Sequence, residues 1–407
     1  MKNIVLTFLL AIAGMICRAQ KVDTLTIQSK VLNDTRKIQV VLPNGYGQYQ
    51  ASHPNKDRKY MVAYFFDAQD KSMFDLCKAT VNYLSGPNQS YSEPLILVGI
   101  PNRERWHDFL PKALTEEGSK HYKGNGGAEL LAAYLRDEVM PLINSKYNVK
   151  PYNIGIGHSL GGTFVTYCML KHPELFNAGI AVSPNFAYDE EQMVRTFDSL
   201  ATEKILNHKF LYIAHGYGDE MEEQFKPATQ KVANLLKKKG IQGFKWQVEA
   251  LDIDSHGLTH AEGILKGLYG LYKQMNLSDV QMNSYFNNKS KPFMSLVKEY
   301  YASASLWSGM KLPTTEEVNL RAGNLIYYKH YKECIEFYDW GISLYPDDSN
   351  LYDSAAESEI AMGDKKAALK YYMEGLEMIK KTRSKLSEDV YNGKVASFEK
   401  NIIALKK

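Results

Sequence analysis

Six strand-like segments, most of them nearly unbroken apolar runs, alternate with helical segments between residues 60 and 275, and this alternation constrains the fold most strongly. Apolar runs of this kind form strands that are buried on both faces, and strands separated by helices form a mostly parallel sheet. In such sheets, functional side chains gather at the carboxyl ends of the strands. We therefore predict an α/β fold, with a hairpin over Val22–Leu42 ahead of the six segments, which are YMVAYFF, PLILVGI, NIGIG, AGIAV, KFLYIAH and FKWQVEA.

The third segment runs into GHSLG, residues 157–161, a G-x-S-x-G pattern between a strand and a helix. The glycines permit a sharp turn that projects the serine hydroxyl above the sheet. The pattern predicts that Ser159 is a catalytic nucleophile, and the alternative is a purely structural turn. The backbone N–H of Leu160, at the start of the helix, is a predicted oxyanion donor. A second donor is expected after the first buried strand, from the backbone of Ala68 or Gln69.

A serine nucleophile needs a base to take its proton, and on such a fold the base follows the acid in chain order. His256 lies in a loop after the last strand and is the predicted base. His260, at the start of the closing helix, is the alternative. His158, beside the serine, and His215, at the end of the fifth strand, are predicted to pack or to form local hydrogen bonds.

The acid that orients the base is expected after the fifth strand, in the segment AHGYGDEMEEQF. Asp219 is the first carboxylate in that segment and is the predicted acid. Glu220 is the alternative. Glu222 and Glu223 follow closely and are typical of the solvated start of a helix.

Charge and motif content argue against several classes of protein. The net charge of +3 falls close to neutral without the first residues, which disfavours nucleic-acid binding and electrostatic attachment to a membrane. Cys77, Cys168 and Cys334 are scattered, and predict neither a disulfide framework nor a metal site. The sequence has no H-E-x-x-H, paired C-x-x-C or Walker motif, so we expect no metal and no cofactor.

The first residues, MKNIVLTFLLAIAGMICRAQ, are typical of a secretory signal peptide. A lysine precedes an apolar stretch that is too short to span a bilayer comfortably, and Ala19 is a plausible cleavage position. We expect residues 1–19 to be removed, and the remaining chain to be secreted or periplasmic without a membrane span.

Over roughly Leu25 to Met275 the chain resembles the putative esterase family of α/β-hydrolases. That family includes esterase D, enterobactin-type siderophore esterases, feruloyl and acetyl-xylan esterases, and mycolyl transferases. The resemblance rests on YFFDAQD, NRERWHDFLP, NGGAELLAAYLRDEVMPLI, GHSLGG, VSPN and DSHG. It implies the α/β-hydrolase fold and a serine carboxylesterase that uses a Ser-His-Asp triad. It also implies that Arg105 and Asp108 brace the site, unless they form only a peripheral ion pair.

Two departures from the family pattern affect the expected site. Ala68 stands where the family has glycine, and Asn185-Phe186-Ala187 replaces an aromatic pair, so the substrate is not carried over. The expected substrates are a siderophore ester, an acylated or feruloylated carbohydrate, or a small acyl ester. Two alternatives are an acyltransferase with the same catalytic residues and a non-catalytic protein that binds through its C-terminal helices.

Helical periodicity replaces strand patterns after about Leu277, which predicts a small all-α region. Two segments after residue 315 resemble tetratricopeptide repeats, and Ala356, Gly363 and Tyr372 occupy characteristic positions of the second copy. The region is expected to bind a protein partner, to self-associate or simply to pack against the rest. The predicted divisions are 1–19, the signal peptide; 20–280, the hydrolase; 281–314, a linker and helical connector; and 315–407, the repeats.

Overall fold

The structure, a computed structural model, describes residues 20–46, 58–86 and 92–407, so the predicted signal peptide lies outside the described residues. Within them, eight strands form one sheet: β1 (Val22–Ser29), β2 (Asp34–Val41), β3 (Tyr60–Phe66), β4 (Leu95–Ile100), β5 (Val149–His158), β6 (Ala178–Val182), β7 (Phe210–His215) and β8 (Lys245–Ala250). Their order across the sheet is β1-β2-β4-β3-β5-β6-β7-β8. β2 runs antiparallel to both neighbours, and the other pairs are parallel. The predicted α/β fold and its N-terminal hairpin are confirmed.

Helices connect the strands and then continue alone to the C-terminus. The first group is α1 (Lys71–Leu84), α2 (Arg105–Phe109), α3 (Glu116–His121), α4 (Ala128–Tyr134), α5 (Met140–Lys146), α6 (Leu160–Lys171), α7 (Tyr188–Leu200), α8 (Glu203–Leu206), α9 (Glu220–Lys239) and α10 (Thr259–Tyr272). A π-helical turn, Leu135–Val139, joins α4 to α5. The second group is α11 (Asp279–Phe286), α12 (Phe293–Ser308), α13 (Thr315–Tyr327), α14 (Tyr331–Leu344), α15 (Ser349–Met362), α16 (Lys365–Lys381) and α17 (Glu388–Leu405).

Composition explains which strands occupy the centre of the sheet. Every residue of β3, β4, β6 and β7 is buried, because aliphatic and aromatic side chains alternate onto two covered faces. In β1 the exposed and covered positions alternate, as expected for an edge strand with one solvated face. The carboxyl ends of the parallel strands meet at one edge of the sheet, which we call the catalytic edge.

One apolar core covers a face of the sheet and continues without interruption into the C-terminal helices. It includes side chains of the strands, such as Phe65 and Tyr212, together with Val297 of α12, Phe337 of α14 and Ile402 of α17. The C-terminal helices therefore share their packing with the sheet. A second core fills the opposite face of the sheet.

The C-terminal helices attach at the amino ends of the strands, opposite the catalytic edge. Trp307 of α12 is only 5% exposed, and its indole N–H donates to the carbonyl of Gly243, just before β8, at 3.0 Å. The ammonium of Lys245 lies over the Trp307 ring. The carbonyl of Trp307 accepts a hydrogen bond from Nδ1 of His208, just before β7. These contacts join α12, which lies in the predicted connector 281–314, to the sheet.

The helices from α13 onward follow a regular spacing. α13 and α15 begin at Thr315 and Ser349, an interval of 34 residues, and α14 and α16 begin at the same interval. α13 is joined to the earlier chain by a buried network, in which Glu317 accepts hydrogen bonds from Tyr301 and Arg321 at 2.8 Å each. In the part of the chain that the structure describes, no helix is both long and apolar enough to cross a membrane.

Candidate active site

Ser159 sits on a strained turn between β5 and α6. Its φ of 56° and ψ of −122° are unfavourable for a residue with a side chain, and such strain concentrates at functional positions. The backbone N–H of Ser159 donates to the carbonyl of Val182 at 2.8 Å, which anchors the turn on β6. A Cβ atom on Gly157 would lie 2.2 Å from the carbonyl carbon and oxygen of Gly161, so only glycine fits there. The sharp turn expected from the sequence is therefore present.

His256 lies between β8 and α10 and shares a pocket with Ser159. This pocket has a volume of about 290 Å³ and lies at the catalytic edge of the sheet. Nδ1 of the His256 ring lies 2.6 Å from Oε1 of Glu222. The pocket thus contains a serine and an imidazole ring, and the ring contacts a carboxylate. Its lining is completed by Asp67, Gln69, Asp70, Met73, Arg105, His158 and Met221.

Glu222 is a buried carboxylate in the first turn of α9. Its side chain has no exposed surface, and its second oxygen, Oε2, accepts a hydrogen bond from the backbone N–H of Gly216 at 2.6 Å. Burial acts to raise the pKa of Glu222, but hydrogen bonds from His256, Ser183 and Gly216 outweigh it, and the pKa lies below its usual value. Glu222 is therefore a carboxylate anion beside the imidazole at neutral pH.

Asp219, the predicted acid, has a different position. Its Oδ1 accepts a hydrogen bond from the backbone N–H of Met221 at 2.9 Å and caps α9, and Oδ2 faces the backbone N–H of His256 at 3.3 Å. These hydrogen bonds, led by that from Met221, lower the pKa of Asp219. The carboxylate on the imidazole ring is Glu222, which corrects the choice of Asp219. The alternative, Glu220, is exposed at the first position of α9.

The backbone N–H groups that were predicted to bind the oxyanion differ in whether another acceptor already engages them. Leu160 is the first residue of α6, so its backbone N–H has no partner within the helix. The backbone N–H of Ala68 donates to the carbonyl of Ile100 at 3.3 Å and is already engaged, which removes Ala68 as a donor. Gln69 lines the pocket, and no acceptor for its backbone N–H occurs among the described residues. Of the two positions considered from the sequence, Gln69 is the one compatible with the role.

Arg105 lines the pocket, but its partner is not Asp108. Its guanidinium donates two hydrogen bonds to the carboxylate of Asp67, at 2.8 and 2.9 Å. Asp67 is buried at the end of β3 and has a φ of 70°. Asp108 instead accepts a hydrogen bond from the backbone N–H of Arg103 and contacts Nδ1 of His107 at 3.0 Å. Asp67 therefore orients Arg105 at the pocket, a pairing that the sequence did not suggest.

The remaining histidines contact backbone carbonyl groups, including His260, the alternative base. Nε2 of His158 lies 2.9 Å from the carbonyl oxygen of His256. His260, within α10, is buried, and its Nε2 lies 3.1 Å from the carbonyl of Met73. His215 contacts the carbonyl of the next residue, Gly216. The part of the chain that the structure describes contains no cluster of side chains suited to hold a metal ion.

A family model described as putative esterase matches residues 29–261, more than half of the chain. The chain belongs to the putative esterase family. Membership establishes this esterase as a carboxylic ester hydrolase, in agreement with a strained serine and a carboxylate-bound imidazole in one pocket. The resemblance inferred from the motifs is confirmed for the family, whereas the tetratricopeptide-like repeats stay a prediction.

Relatives of this esterase include a named bacterial esterase and two solved structures. The ferri-bacillibactin esterase BesA of Bacillus subtilis is 26% identical over 199 residues, which cover 46% of this chain and 68% of BesA. A crystal structure of an IroE-like serine hydrolase from Shewanella oneidensis superposes with a TM-score of 0.63 at 22% identity, covering 80% of this chain and 98% of that one. An uncharacterised protein from Capnocytophaga ochracea gives a TM-score of 0.61 at 17% identity, over 93% and 99% of the two chains. These two structures support the fold.

Proposed function

We propose that this esterase hydrolyses its substrate through Ser159, His256 and Glu222. The observation that carries the proposal is the 2.6 Å contact between Glu222 and Nδ1 of His256, beside the strained serine. The contact fixes the proton of the neutral imidazole on Nδ1, because a carboxylate accepts and does not donate. Nε2 is then the basic nitrogen that accepts the proton of the Ser159 hydroxyl.

Acylation follows from this arrangement. Oγ of Ser159 attacks the ester carbonyl carbon, its proton passes to Nε2 of His256, and the carbonyl oxygen becomes an oxyanion. The backbone N–H groups of Leu160 and Gln69 stabilise that oxyanion. The C–O bond to the alcohol then breaks, and His256 returns the proton to the leaving alkoxide. Glu222 stabilises the imidazolium during both transfers.

Deacylation repeats these steps with water as the nucleophile. His256 takes a proton from the water that attacks the acyl-Ser159 ester, and a second oxyanion forms in the same place. Its collapse releases the carboxylic acid and restores the Ser159 hydroxyl. An alcohol that replaced water at this step would make the enzyme an acyltransferase.

We propose a siderophore ester as the substrate class, because the name of the relative BesA specifies a ferri-siderophore. Acylated carbohydrates and small acyl esters are the competing classes. The substrate classes are ranked by measuring kcat/KM for four compounds. These are a triscatecholate trilactone, its ferric complex, a feruloylated sugar and p-nitrophenyl butyrate.

We further propose that the chain is exported and that its last helices are tetratricopeptide-like. Export rests on the leader-like residues 1–19. The repeat assignment is supported by the interval of 34 residues between α13 and α15, which is the period of such repeats. Fractionation of the expressing cells, followed by N-terminal sequencing of the mature protein, tests export.

The catalytic assignment is tested by p-nitrophenyl butyrate hydrolysis with Ser159→Ala, His256→Ala and Glu222→Gln. Loss of turnover by orders of magnitude in the first two variants is expected. A fluorophosphonate probe should label the wild type at Ser159 and leave Ser159→Ala unlabelled. Undiminished turnover by Ser159→Ala would reject the proposal.

A further inference from the structure

The position of the His256 ring depends on how the His256 backbone is held as well as on the contact of the ring with Glu222. His256 lies in the irregular segment between Ala250 and Thr259. Backbone hydrogen bonds tie the start of this segment to the end of β7, from the N–H of Leu251 to the carbonyl of His215 and from the N–H of Tyr217 to the carbonyl of Ile253, but neither involves His256 itself. Glu222 orients the ring, but the ring reaches Ser159 only if the backbone of His256 is also held. The contacts of that backbone therefore bear on the rate of proton transfer.

The carbonyl oxygen of His256 accepts two hydrogen bonds from side chains outside its own segment. Nε2 of His158 lies 2.9 Å from it, and the hydroxyl of Thr259 donates to it at 2.7 Å. Because a carbonyl oxygen only accepts, Nε2 of His158 carries the proton and is the donor. On the other side of the residue, the backbone N–H of His256 faces Asp219.

His158 is well suited to hold a backbone in place. It is the last residue of β5, pairs with Val182 of β6, and is only 6% exposed. Burial, together with the nearby His256 and His260, lowers the pKa of His158 well below the usual value, so the ring stays neutral beside the catalytic imidazole. It also directly precedes Ser159, so one rigid dipeptide carries the nucleophile and contacts the base.

We propose that His158 is a positioning residue, which fixes His256 relative to Ser159 through its hydrogen bond to the His256 carbonyl. The proposal rests on the proposed function, because it assumes that Ser159 and His256 react together. Loss of the donor lets the backbone of His256 shift. A displacement of about 1 Å between reacting groups is sufficient to reduce the rate about 100-fold.

The test compares His158→Gln, which retains an N–H donor at similar reach, with His158→Leu, which fills a similar volume without a donor. With p-nitrophenyl butyrate, His158→Leu should lower kcat by about 10- to 100-fold and change KM much less, because the substitution displaces the base rather than the ester. His158→Gln should recover most of the lost rate. Fluorophosphonate labelling of Ser159, which also requires the base, should slow in parallel.

Two outcomes would overturn the proposal: wild-type kcat in a folded His158→Leu variant, or equal impairment of both His158 variants with unchanged melting temperatures. If His158→Leu fails to fold, His158→Asn replaces it in the comparison with His158→Gln, because the shorter asparagine amide does not reach the His256 carbonyl; a folded His158→Asn with wild-type kcat would then overturn the proposal. Ser159→Ala, measured alongside, separates the two proposals. An active Ser159→Ala would reject the proposed function. If Ser159→Ala is inactive but the His158 variants do not show the expected loss and recovery of kcat, only this inference is rejected.

Discussion

Oε1 of Glu222 lies 2.6 Å from Nδ1 of His256, and Glu222 belongs to the first turn of a 20-residue helix rather than to the loop before it. The Glu222 carboxylate is therefore held by the helix backbone as well as by the N–H of Gly216. Asp219, three residues earlier, caps that helix and faces the backbone of the same histidine. The two carboxylates differ in what they contact, so their substitution should have different effects.

Glu222→Gln is predicted to lower kcat by about 100-fold or more, because glutamine retains an acceptor for Nδ1 but loses the charge that stabilises the imidazolium. Asp219→Asn is the matched control. Asparagine still caps α9 and still presents an oxygen to the His256 backbone, so its kcat should stay close to wild type. Steady-state kinetics with p-nitrophenyl butyrate measure both. The reverse order of effects would assign the acid to Asp219.

The spacing of residues along α9 indicates that Glu222 faces the protein interior. Choosing the first carboxylate after the strand overlooks this spacing. Along α9 the buried side chains include Glu222, Phe225, Thr229, Val232 and Leu236, a pattern of three- and four-residue steps. Glu222 thus lies on the same face of the helix as the apolar side chains, which is unusual for a glutamate that only contacts solvent. Glu220 lies outside this face.

Other features of the site depend on tertiary packing that no local pattern encodes. The alternation of strands and helices predicted the sheet, and the G-x-S-x-G pattern predicted the turn at Ser159. The engagement of the Ala68 N–H by Ile100 depends on the pairing of β3 with β4. The pairing of Arg105 with Asp67 similarly joins groups 38 residues apart. Family motifs place such residues near the site without specifying their partners.

Gly157→Ala is predicted to abolish activity and to destabilise the fold, because the new methyl group would meet the backbone of Gly161 at 2.2 Å. Gly323→Ala, within α13, is the matched control, since no heavy atom lies within 4 Å of the added carbon. Alanine in a helix interior should stabilise that variant by about 0.5–1 kcal/mol. Thermal unfolding and esterase assays distinguish the two. An active, stable Gly157→Ala would contradict the strained turn.

Stability is predicted to fall as the pH decreases below 6.5, because burial lowers the pKa values of His158 and His260 below that usual value. The unfolded chain then binds protons that the folded chain does not, so stabilisation that is complete above pH 6.5 is lost below it. Each histidine contributes at most about 1.4 kcal/mol per pH unit. Urea unfolding between about pH 8 and pH 5 measures the slope.

His260→Gln should flatten that slope, because one of the two proton-linked groups is gone. His121→Gln, at an exposed histidine, serves as the control and should leave the slope unchanged. A wild-type free energy of unfolding that is independent of pH over this range would contradict the assignment of both histidines as buried neutral groups.

Trp307→Ala is predicted to reduce the free energy of unfolding by about 3–5 kcal/mol, because it empties a buried site between α12 and the sheet. Its neighbour Leu306 is 78% exposed, so Leu306→Ala should change stability by less than about 0.5 kcal/mol. In the folded fraction of either variant, kcat should equal that of the wild type, since both residues lie far from the catalytic edge. Equal stability of the two variants would contradict the attachment of α12 through Trp307.

The attachment of the C-terminal helices at the amino ends of the strands determines how the molecule can be immobilised. β5 has ten residues and separates the two edges of the sheet by about 30 Å. A resin or a carrier protein joined to an exposed position of α12, such as Leu306, is therefore held on the side of the sheet away from Ser159. An enzyme tethered at that position keeps its pocket open to dissolved esters.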